Sequence, residues 1–285
     1  MQDPVSQLPF LRQTLSKLDL RAKKSLGQNF LLDTYITDKI AQAAAPFEGS
    51  VIEIGPGPGG LTRSILLQGA PHLIAIEKDK RAVRYLEALQ QAAGTRLVVM
   101  EADALTLPVW ELGQQPRQII ANLPYNIATP LLIQWLEHAP AFTKMTLMFQ
   151  KEVAERIVAK PGDSNFGRLS VLCNWLTFSE ILFEVPASAF IPPPKVTSAV
   201  IQLIPRQKPE FDCSLKHLEK VTQIAFNQRR KMLRASFKQF GGADMLASLG
   251  IDPQSRPQQL PTECFCKLAN HLAAQIELKN IARPI

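Results

Sequence analysis

Between residues 51 and 149, short apolar runs alternate with longer segments whose apolar positions recur every three or four residues. Val51-Ile-Glu-Ile54, His72-Leu-Ile-Ala-Ile76, Leu97-Val-Val-Met100, Gln118-Ile-Ile-Ala121 and Met145-Thr-Leu-Met-Phe149 are near-continuous apolar stretches, the pattern of strands buried on both faces. Leu61–Gln68 and Lys80–Ala93 carry the helical period between them. This alternation predicts βαβ units, hence a parallel sheet with helices on both faces. Glu180–Val185 and Thr197–Ile204, joined by a proline-rich link, predict two more strands, antiparallel to each other. A boundary is expected between Pro205 and Pro209. Beyond it the pattern is helical, with Leu218, Val221, Ala225, Met232 and Leu233 along one face. The fold class is therefore α/β, a helix-flanked sheet followed by a small all-α C-terminal domain.

Composition narrows the class without changing it. With 285 residues, 46% of them hydrophobic and 20% charged, the chain can bury a sizeable core and is not disordered. No apolar run reaches the length of a membrane span, and the N-terminus lacks the basic start and apolar stretch of a secretory leader. Four scattered cysteines make no disulfide framework and indicate a reducing, cytoplasmic compartment. Cys264-Phe-Cys266 lacks a second pair or a histidine cluster to complete a metal site, and the four histidines show no ligand spacing. The expectation is structural thiols and no metal. Charge is uneven: residues 206–285 hold 13 Lys and Arg against 7 Asp and Glu, whereas residues 1–205 hold 19 against 18. A basic C-terminal part suits a polyanionic partner.

The first motif with chemistry in it is Glu53-Ile-Gly55-Pro-Gly57-Pro-Gly59-Gly60-Leu-Thr62, which leaves a strand and enters a helix. Glycines there let the backbone turn sharply and approach a ligand without a Cβ in the way. Glu77, at the end of the second strand, is placed to accept from two ribose hydroxyls. Both features serve nicotinamide and adenosylmethionine enzymes alike. After the third strand, Asp103 can accept from an adenine amino group while the Ala104 N–H donates to the ring.

Asn122-Leu123-Pro124-Tyr125 decides the chemistry. It follows the fourth strand at the carboxyl edge of the sheet, where open α/β folds bind ligands. An aromatic amine such as adenine N6 is a poor nucleophile because its lone pair is delocalised into the ring. Two acceptors facing its N–H groups draw the nitrogen toward tetrahedral geometry; the Asn122 side-chain oxygen and the Leu123 or Pro124 carbonyl are the candidates. Tyr125 offers a stacking face, a contact worth about 1–3 kcal/mol. No acidic base is needed when the methyl leaves a sulfonium and alignment does most of the work.

Three further segments carry expectations. Gln28 and Asn29, polar beside Phe30-Leu31-Leu32, suit an N-terminal lid, and Phe190 sits before a stiff proline run that can hold a ring at a site edge. Asn227–Lys238 has five basic residues and no acid. On one continuous helix, Arg230, Lys231, Arg234 and Lys238 fall on an arc apart from the apolar face, with Arg229 on the apolar side; phosphate contact is the expectation. Arg21, Lys23 and Lys24 suggest a second basic patch.

Ser25-Leu-Gly-Gln-Asn-Phe-Leu31, the glycine motif, Glu77, Asp103, Asn122-Leu-Pro-Tyr125, Phe166-Gly-Arg-Leu-Ser170, Phe190-Ile-Pro-Pro-Pro-Lys-Val-Thr-Ser198 and Phe226-Asn-Gln-Arg-Arg-Lys-Met-Leu-Arg234 occur in this order. Together they resemble the small-subunit ribosomal RNA adenine dimethyltransferases. The match runs from about Arg21 to Arg234, and the final 50 residues fit more loosely. The resemblance implies a Rossmann-like class I methyltransferase domain over residues 31–206, an N-terminal arm and lid over 1–30, and a helical RNA-binding domain over 207–285. It implies S-adenosylmethionine as methyl donor and dimethylation of two adjacent adenines near the 3′ end of 16S RNA, late in assembly, within an immature small subunit. It further implies that Gln28, Asn29 and Leu31 cap the cofactor, Gly55 and Gly57 line it, Glu77 holds its ribose and Asp103 with Ala104 reads its adenine. Asn122 touches cofactor and target, and Phe190 stacks on the target base opposite Tyr125. A monomer without metal or membrane attachment is expected. A large-subunit RNA dimethyltransferase shares the Gly-Gln-Asn-Phe-Leu segment and the Asn-x-Pro-Tyr core, although the long proline link and the Arg-Arg-Lys run favour the small subunit. An assembly factor whose binding matters more than its methylation is the alternative from another class.

Overall fold

The structure, a computed structural model, describes residues 3–9, 11 and 27–281, with 276–281 described by their backbone alone. The first half runs β1 (Phe30–Leu31), α1 (Thr34–Ala44), β2 (Ser50–Ile54), α2 (Gly60–Leu67), β3 (His72–Glu77), α3 (Lys80–Ala93), β4 (Leu97–Glu101), β5 (Arg117–Asn122), α4 (Tyr125–Glu137) and β6 (Lys144–Gln150). It continues with α5 (Lys151–Val158), α6 (Arg168–Leu176), β7 (Thr177–Val185), β8 (Phe190–Ile191) and β9 (Ser198–Pro205). The helices α7 (Leu215–Asn227), α8 (Leu233–Ser236), α9 (Gly242–Ser248) and α10 (Thr262–Ile281) follow.

Seven strands form one sheet in the order β4-β3-β2-β5-β6-β9-β7. Strands β2 to β6 pair in parallel, and β9 runs antiparallel to β6. The two strands flanking the proline link are sheet neighbours, as the pattern predicts, and the link itself contributes β8, which pairs antiparallel with β1. All five residues of β2 are buried, which explains its unbroken apolar run; Val98 on edge strand β4 is exposed. Sequence order runs outward from β2 through β3 to β4 and then resumes at β5 on β2's other side. The carboxyl ends of β2 and β5 therefore flank the topological switch point, where such sheets open a crevice.

Helix α3 shows how the sequence fixes the elements that frame the crevice. Asp79 caps its N-terminus by accepting the Arg81 N–H at 3.1 Å, a contact worth about 1 kcal/mol. Ala82, Leu86, Leu89 and Ala93 recur at helical spacing and are all buried. Leu86 is fully buried, and its truncation to alanine costs about 2–5 kcal/mol. Gly59 packs on this helix at φ +92°, where an added Cβ falls 2.7 Å from the Leu86 Cδ2. Both the left-handed backbone and the close packing demand glycine there.

The chain divides into two compact units, Met1–Ala154 with Glu180–Pro205, and Glu155–Ser179 with Arg206–Ile285. Residues 155–179 fall in the second unit, although they lie within the span 31–206 that the resemblance gives to the methyltransferase domain. The reason is aromatic packing. Phe166 meets Phe226 and Phe265 at centroid distances of 6.2 and 6.5 Å, and the latter two stack at 5.6 Å. An apolar ring so far from its partners in sequence carries no periodic signal.

A second correction concerns the basic segment. Helix α7 ends at Asn227, and the chain turns through Gln228–Lys231, where the Lys231 N–H bonds the Gln228 carbonyl at 2.8 Å. Leu218, Val221, Ala225 and Leu233 are buried as expected, but Met232, read as part of their face, is exposed at the start of α8. The arc expected of one continuous helix does not exist.

Candidate active site

A cavity of about 230 Å³ lies within the first unit at the carboxyl ends of β2, β3, β4 and β5. Its wall is made from Gly55 and Gly57 after β2, Glu77 at the end of β3, Asp103 and Ala104 after β4, and Asn122, Leu123, Pro124 and Tyr125 at the end of β5. Gln28, Asn29, Leu31 and Phe190 complete it. Every residue assigned from the sequence to cofactor or target within the described chain thus lines one space.

The glycine loop and the acidic strand end hold each other. Gly55 and Gly57 adopt φ of +69° and +54°, and a Cβ on Gly57 falls 3.3 Å from the Phe30 ring. Glu77 Oε2 accepts the Gly57 N–H at 3.0 Å, and its Oε1 accepts the Asp79 N–H at 2.8 Å. Burial raises the Glu77 carboxyl above its ordinary range, while those backbone donors pull it back. Asp79 is pushed down to about 2, first by the Arg81 guanidinium and also by Gln28, whose Nε2 donates to its Oδ2 at 3.0 Å. Gln28 is thereby tied to the loop after β3. Asn29 donates to the Gly27 carbonyl at 3.4 Å.

The lid segment and the target-side aromatic are one structure. Register in the β1–β8 ladder sets Leu31 opposite Phe190 and Phe30 opposite Ile191, and Leu31 and Phe190 are both buried. Across the cavity wall, Asp103 accepts from Lys78 Nζ at 2.7 Å and from the Leu105 N–H at 3.1 Å, and the lysine holds its carboxyl below the usual range.

At the end of β5, Leu123 is buried and Pro124 leads into α4 at φ −56°. The Pro124 carbonyl accepts the Ile127 and Ala128 N–H groups at 3.1 and 3.2 Å, so the helix already engages it. The Tyr125 hydroxyl lies 2.7 Å from Ser198 Oγ, a fully buried side chain at the start of β9. Burial raises the Tyr125 phenol.

Four residues of this neighbourhood had no role in the sequence reading: Ser198, Lys78, Asp79 and Glu53. Glu53 lines the cavity, is 1% exposed, and its Oε2 has no hydrogen-bond partner. Burial, reinforced by the Glu77 charge, pushes its carboxyl up to about 8. An acid inside an otherwise apolar buried strand was the available signal for Glu53, and an aspartate two residues before Arg81 at a helix start was the one for Asp79; the partners of Ser198 and Lys78 come from distant segments and leave no local trace.

In the second unit Arg230, Lys231, Arg234 and Lys238 are all exposed, on the turn after α7, on α8 and just beyond it. Arg229 is also exposed and donates to the Ser164 carbonyl. Arg21, Lys23 and Lys24 lie outside the described residues. Among the described residues no cluster of three or more His, Cys, Asp or Glu could hold a metal, and no helix is long and apolar enough to cross a membrane.

The profile of the family described as ribosomal RNA adenine dimethylase matches residues 19–274. The chain belongs to that family. It is an S-adenosylmethionine-dependent enzyme, a ribosomal RNA adenine N6-dimethyltransferase. This dimethylase is 53% identical over 269 residues to the ribosomal RNA small subunit methyltransferase A of Sinorhizobium medicae, covering 93% of this chain and 98% of that one. It is 52% identical over 274 residues to the protein of the same name from Agrobacterium fabrum, covering 94% and 99%. Among solved structures, the dimethylase is similar to a dimethyladenosine transferase from Plasmodium falciparum, with a TM-score of 0.74 and 30% identity over 85% of this chain and 97% of that one. It also resembles the 23S rRNA methyltransferase ErmE, with a TM-score of 0.66 and 26% identity over 86% and 100%.

Proposed function

We propose that this dimethylase converts two adjacent adenines near the 3′ end of 16S RNA to N6,N6-dimethyladenine, acting as a metal-free monomer on an immature small subunit late in assembly. The observation that carries the site assignment is the convergence of the glycine loop, Glu77, Asp103 and Asn122-Leu-Pro-Tyr125 on one cavity at the switch point. The small-subunit assignment rests on the names of the curated relatives.

The cavity suits S-adenosylmethionine on its own chemistry. The Gly57 backbone leaves a cradle that a Cβ would crowd against Phe30, and Glu53 Oε2 is a buried acceptor without a partner. Glu77 keeps free lone pairs on both oxygens for a ribose diol beyond the two backbone bonds it already makes. Asp103 with the Ala104 N–H offers an acceptor and a donor to an adenine edge, while Gln28, Asn29 and Leu31 close the space from the lid side. The bound cofactor supplies an electrophilic methyl on a sulfonium.

Asn122 and the Leu123 carbonyl are the two acceptors that face the target amine, since the Pro124 carbonyl is engaged by α4. They localise the nitrogen lone pair and aim it. Tyr125 and Phe190 sandwich the target base, with the Tyr125 ring held by Ser198. The transferred methyl leaves a proton on the amine, and the paired acceptors stabilise that developing cation until solvent takes the proton. Because the same two acceptors must serve the monomethylated amine with a single N–H, the second transfer depends more heavily on the stacking contacts. Arg21, Lys23 and Lys24 of the N-terminal segment, and Arg230, Lys231, Arg234 and Lys238 in the second unit, neutralise RNA phosphates.

The likeness to a large-subunit enzyme gives the second reading its one support. Incubation with labelled S-adenosylmethionine and a mixture of undermethylated small and large subunits, followed by mass mapping of the nucleosides, tests both. Label as dimethyladenine in 16S RNA is the expected outcome, and label in 23S RNA overturns it. Normal subunit maturation in cells whose only copy is Asn122→Ala, with mass mapping showing the 16S adenines unmethylated, instead supports the assembly-factor reading.

A further inference from the structure

We propose that Arg63 is a positioning residue for methyl transfer, holding Asp3–Pro9 as a strap on α2 that seats the cofactor side of the cavity; this rests on the cavity being the S-adenosylmethionine site. The resemblance gives residues 1–30 to an arm and lid but names nothing that holds them. Arg63 is half-buried on α2, one turn beyond Gly60. Its Nη1 donates to the Pro9 carbonyl at 2.9 Å, and its Nη2 donates to the Ser6 and Leu8 carbonyls at 3.0 and 2.8 Å. One planar guanidinium fork thus takes three carbonyls of one short segment, a geometry that a lysine ammonium does not offer.

The other end of the strap is tied as well. Arg96 Nη2 donates to both Asp3 carboxylate oxygens at 2.9 Å, and its Nη1 donates to the Leu66 carbonyl in the last turn of α2 at 3.3 Å. Between the two arginines, Val5 is fully buried in the same core cluster as Leu61, Leu66, Leu86 and Leu89. The turn Pro4–Gln7 therefore packs on both α2 and α3.

The strap reaches the site through Gly60, which opens α2 and lines the cavity. A Cβ on Gly60 would fall 3.0 Å from the Leu31 carbonyl oxygen and 3.4 Å from Leu11 Cδ2. Gly60 is thus held between Leu31, itself part of the cavity wall, and Leu11, two positions beyond the Arg63 anchor at Pro9. None of the described residues from Asp3 to Leu11 lines the cavity. Their influence passes through Gly60 and Leu31, whereas Asn122-Leu-Pro-Tyr125 is carried on β5 and α4. Loss of the strap should therefore act on cofactor affinity and spare transfer from the saturated complex. The coupling is reciprocal: a cofactor that gains from the strap must steady the strap by the same factor.

The first test is hydrogen exchange on the unmutated full chain with and without saturating S-adenosylmethionine. The Val5 and Ser6 amides, which donate to the Asp3 side chain and carbonyl, should slow roughly tenfold alongside Gly57 and Gly59. Slowing at Gly57 and Gly59 with none at Val5 and Ser6 overturns the strap and leaves the cavity assignment standing. Slowing at neither overturns both. Arg63→Ala should then raise the Kd and KM for the cofactor roughly tenfold, with kcat at saturating cofactor unchanged. Leu11→Ala should weaken cofactor binding in the same way, and the double variant should be no worse than Arg63→Ala alone. A lowered Tm with wild-type Kd and KM, a fall in kcat at saturation, or additive losses in the double variant would each overturn the proposal.

Discussion

The two units place their charged and polar groups in opposite ways. In the first, Glu53, Glu77 and Asp79 are buried beside a cavity; Glu77 is bonded to backbone N–H groups of the loops that shape it, and Asp79 to the first turn of α3. In the second, Arg230, Lys231, Arg234 and Lys238 stand exposed around a turn and a helix of four residues. A small rigid ligand needs partners fixed to fractions of an ångström before it arrives, since alignment supplies the rate. A polyanion needs charge density, which flexible exposed side chains deliver without fixed geometry. The contrast predicts that lesions in the first unit act on chemistry and cofactor, whereas lesions in the second act on RNA affinity and its salt dependence.

The largest effect is expected from Asn122→Ala. Losing one preorganised acceptor costs about 3 kcal/mol in the barrier, or roughly a hundredfold or more in single-turnover rate, with RNA binding retained. Near-normal turnover in a rapid-quench assay contradicts the assigned role. Neutralising Arg230, Lys231, Arg234 and Lys238 together comes next: RNA affinity falls, and the slope of log affinity against log salt flattens by up to about four phosphate contacts. An unchanged slope returns these residues to a solvated surface. At saturating RNA the methylated amount recovers if they only dock the substrate.

Glu77→Gln should weaken cofactor affinity about tenfold to a hundredfold by calorimetry, because charge-assisted bonds to the ribose are worth about 1.5–3 kcal/mol each. Glu53 gives a signal in stability and pH, not in ligand affinity. Its carboxyl is raised from 4.5 to about 8 in the fold, so its stabilising contribution is present below pH 4.5 and is lost as pH rises toward 8. Glu53→Gln should flatten the cofactor-free stability curve across that window by about 1.4 kcal/mol per pH unit, read by urea melts. The same curve in mutant and wild type would remove the buried carboxyl as its cause. The smallest effect belongs to Ser198→Ala, which frees the Tyr125 hydroxyl at about 1 kcal/mol. It should raise KM more than it lowers kcat and be non-additive with Tyr125→Phe.

The difference between the units also governs what could be read from residues alone. Strands β2 to β6 and the residues at their ends were legible because burial on both faces writes continuous apolar runs, and because parallel βαβ order forces the strand ends to one edge. Leu31 and Phe190 carried no sign of pairing, since a two-residue ladder between distant segments has no period. Residues 155–179 were misplaced for a similar reason: Phe166 finds its ring partners far along the chain. The basic arc failed because the wheel assumed one helix through Gln228, where the backbone turns instead. Side chains that act through a neighbour, as Ser198 does on Tyr125 and Lys78 on Asp103, write nothing into their own surroundings.

The division of labour is tested most directly by measuring both ligands on both lesions. Calorimetric titration of S-adenosylmethionine and RNA-binding titration at two salt concentrations, applied to Glu77→Gln and to the quadruple basic variant, give four numbers. The account predicts that Glu77→Gln loses cofactor affinity and keeps RNA affinity, while the quadruple variant loses RNA affinity and its salt slope and keeps cofactor affinity. Equal losses of both ligands in either variant would contradict it.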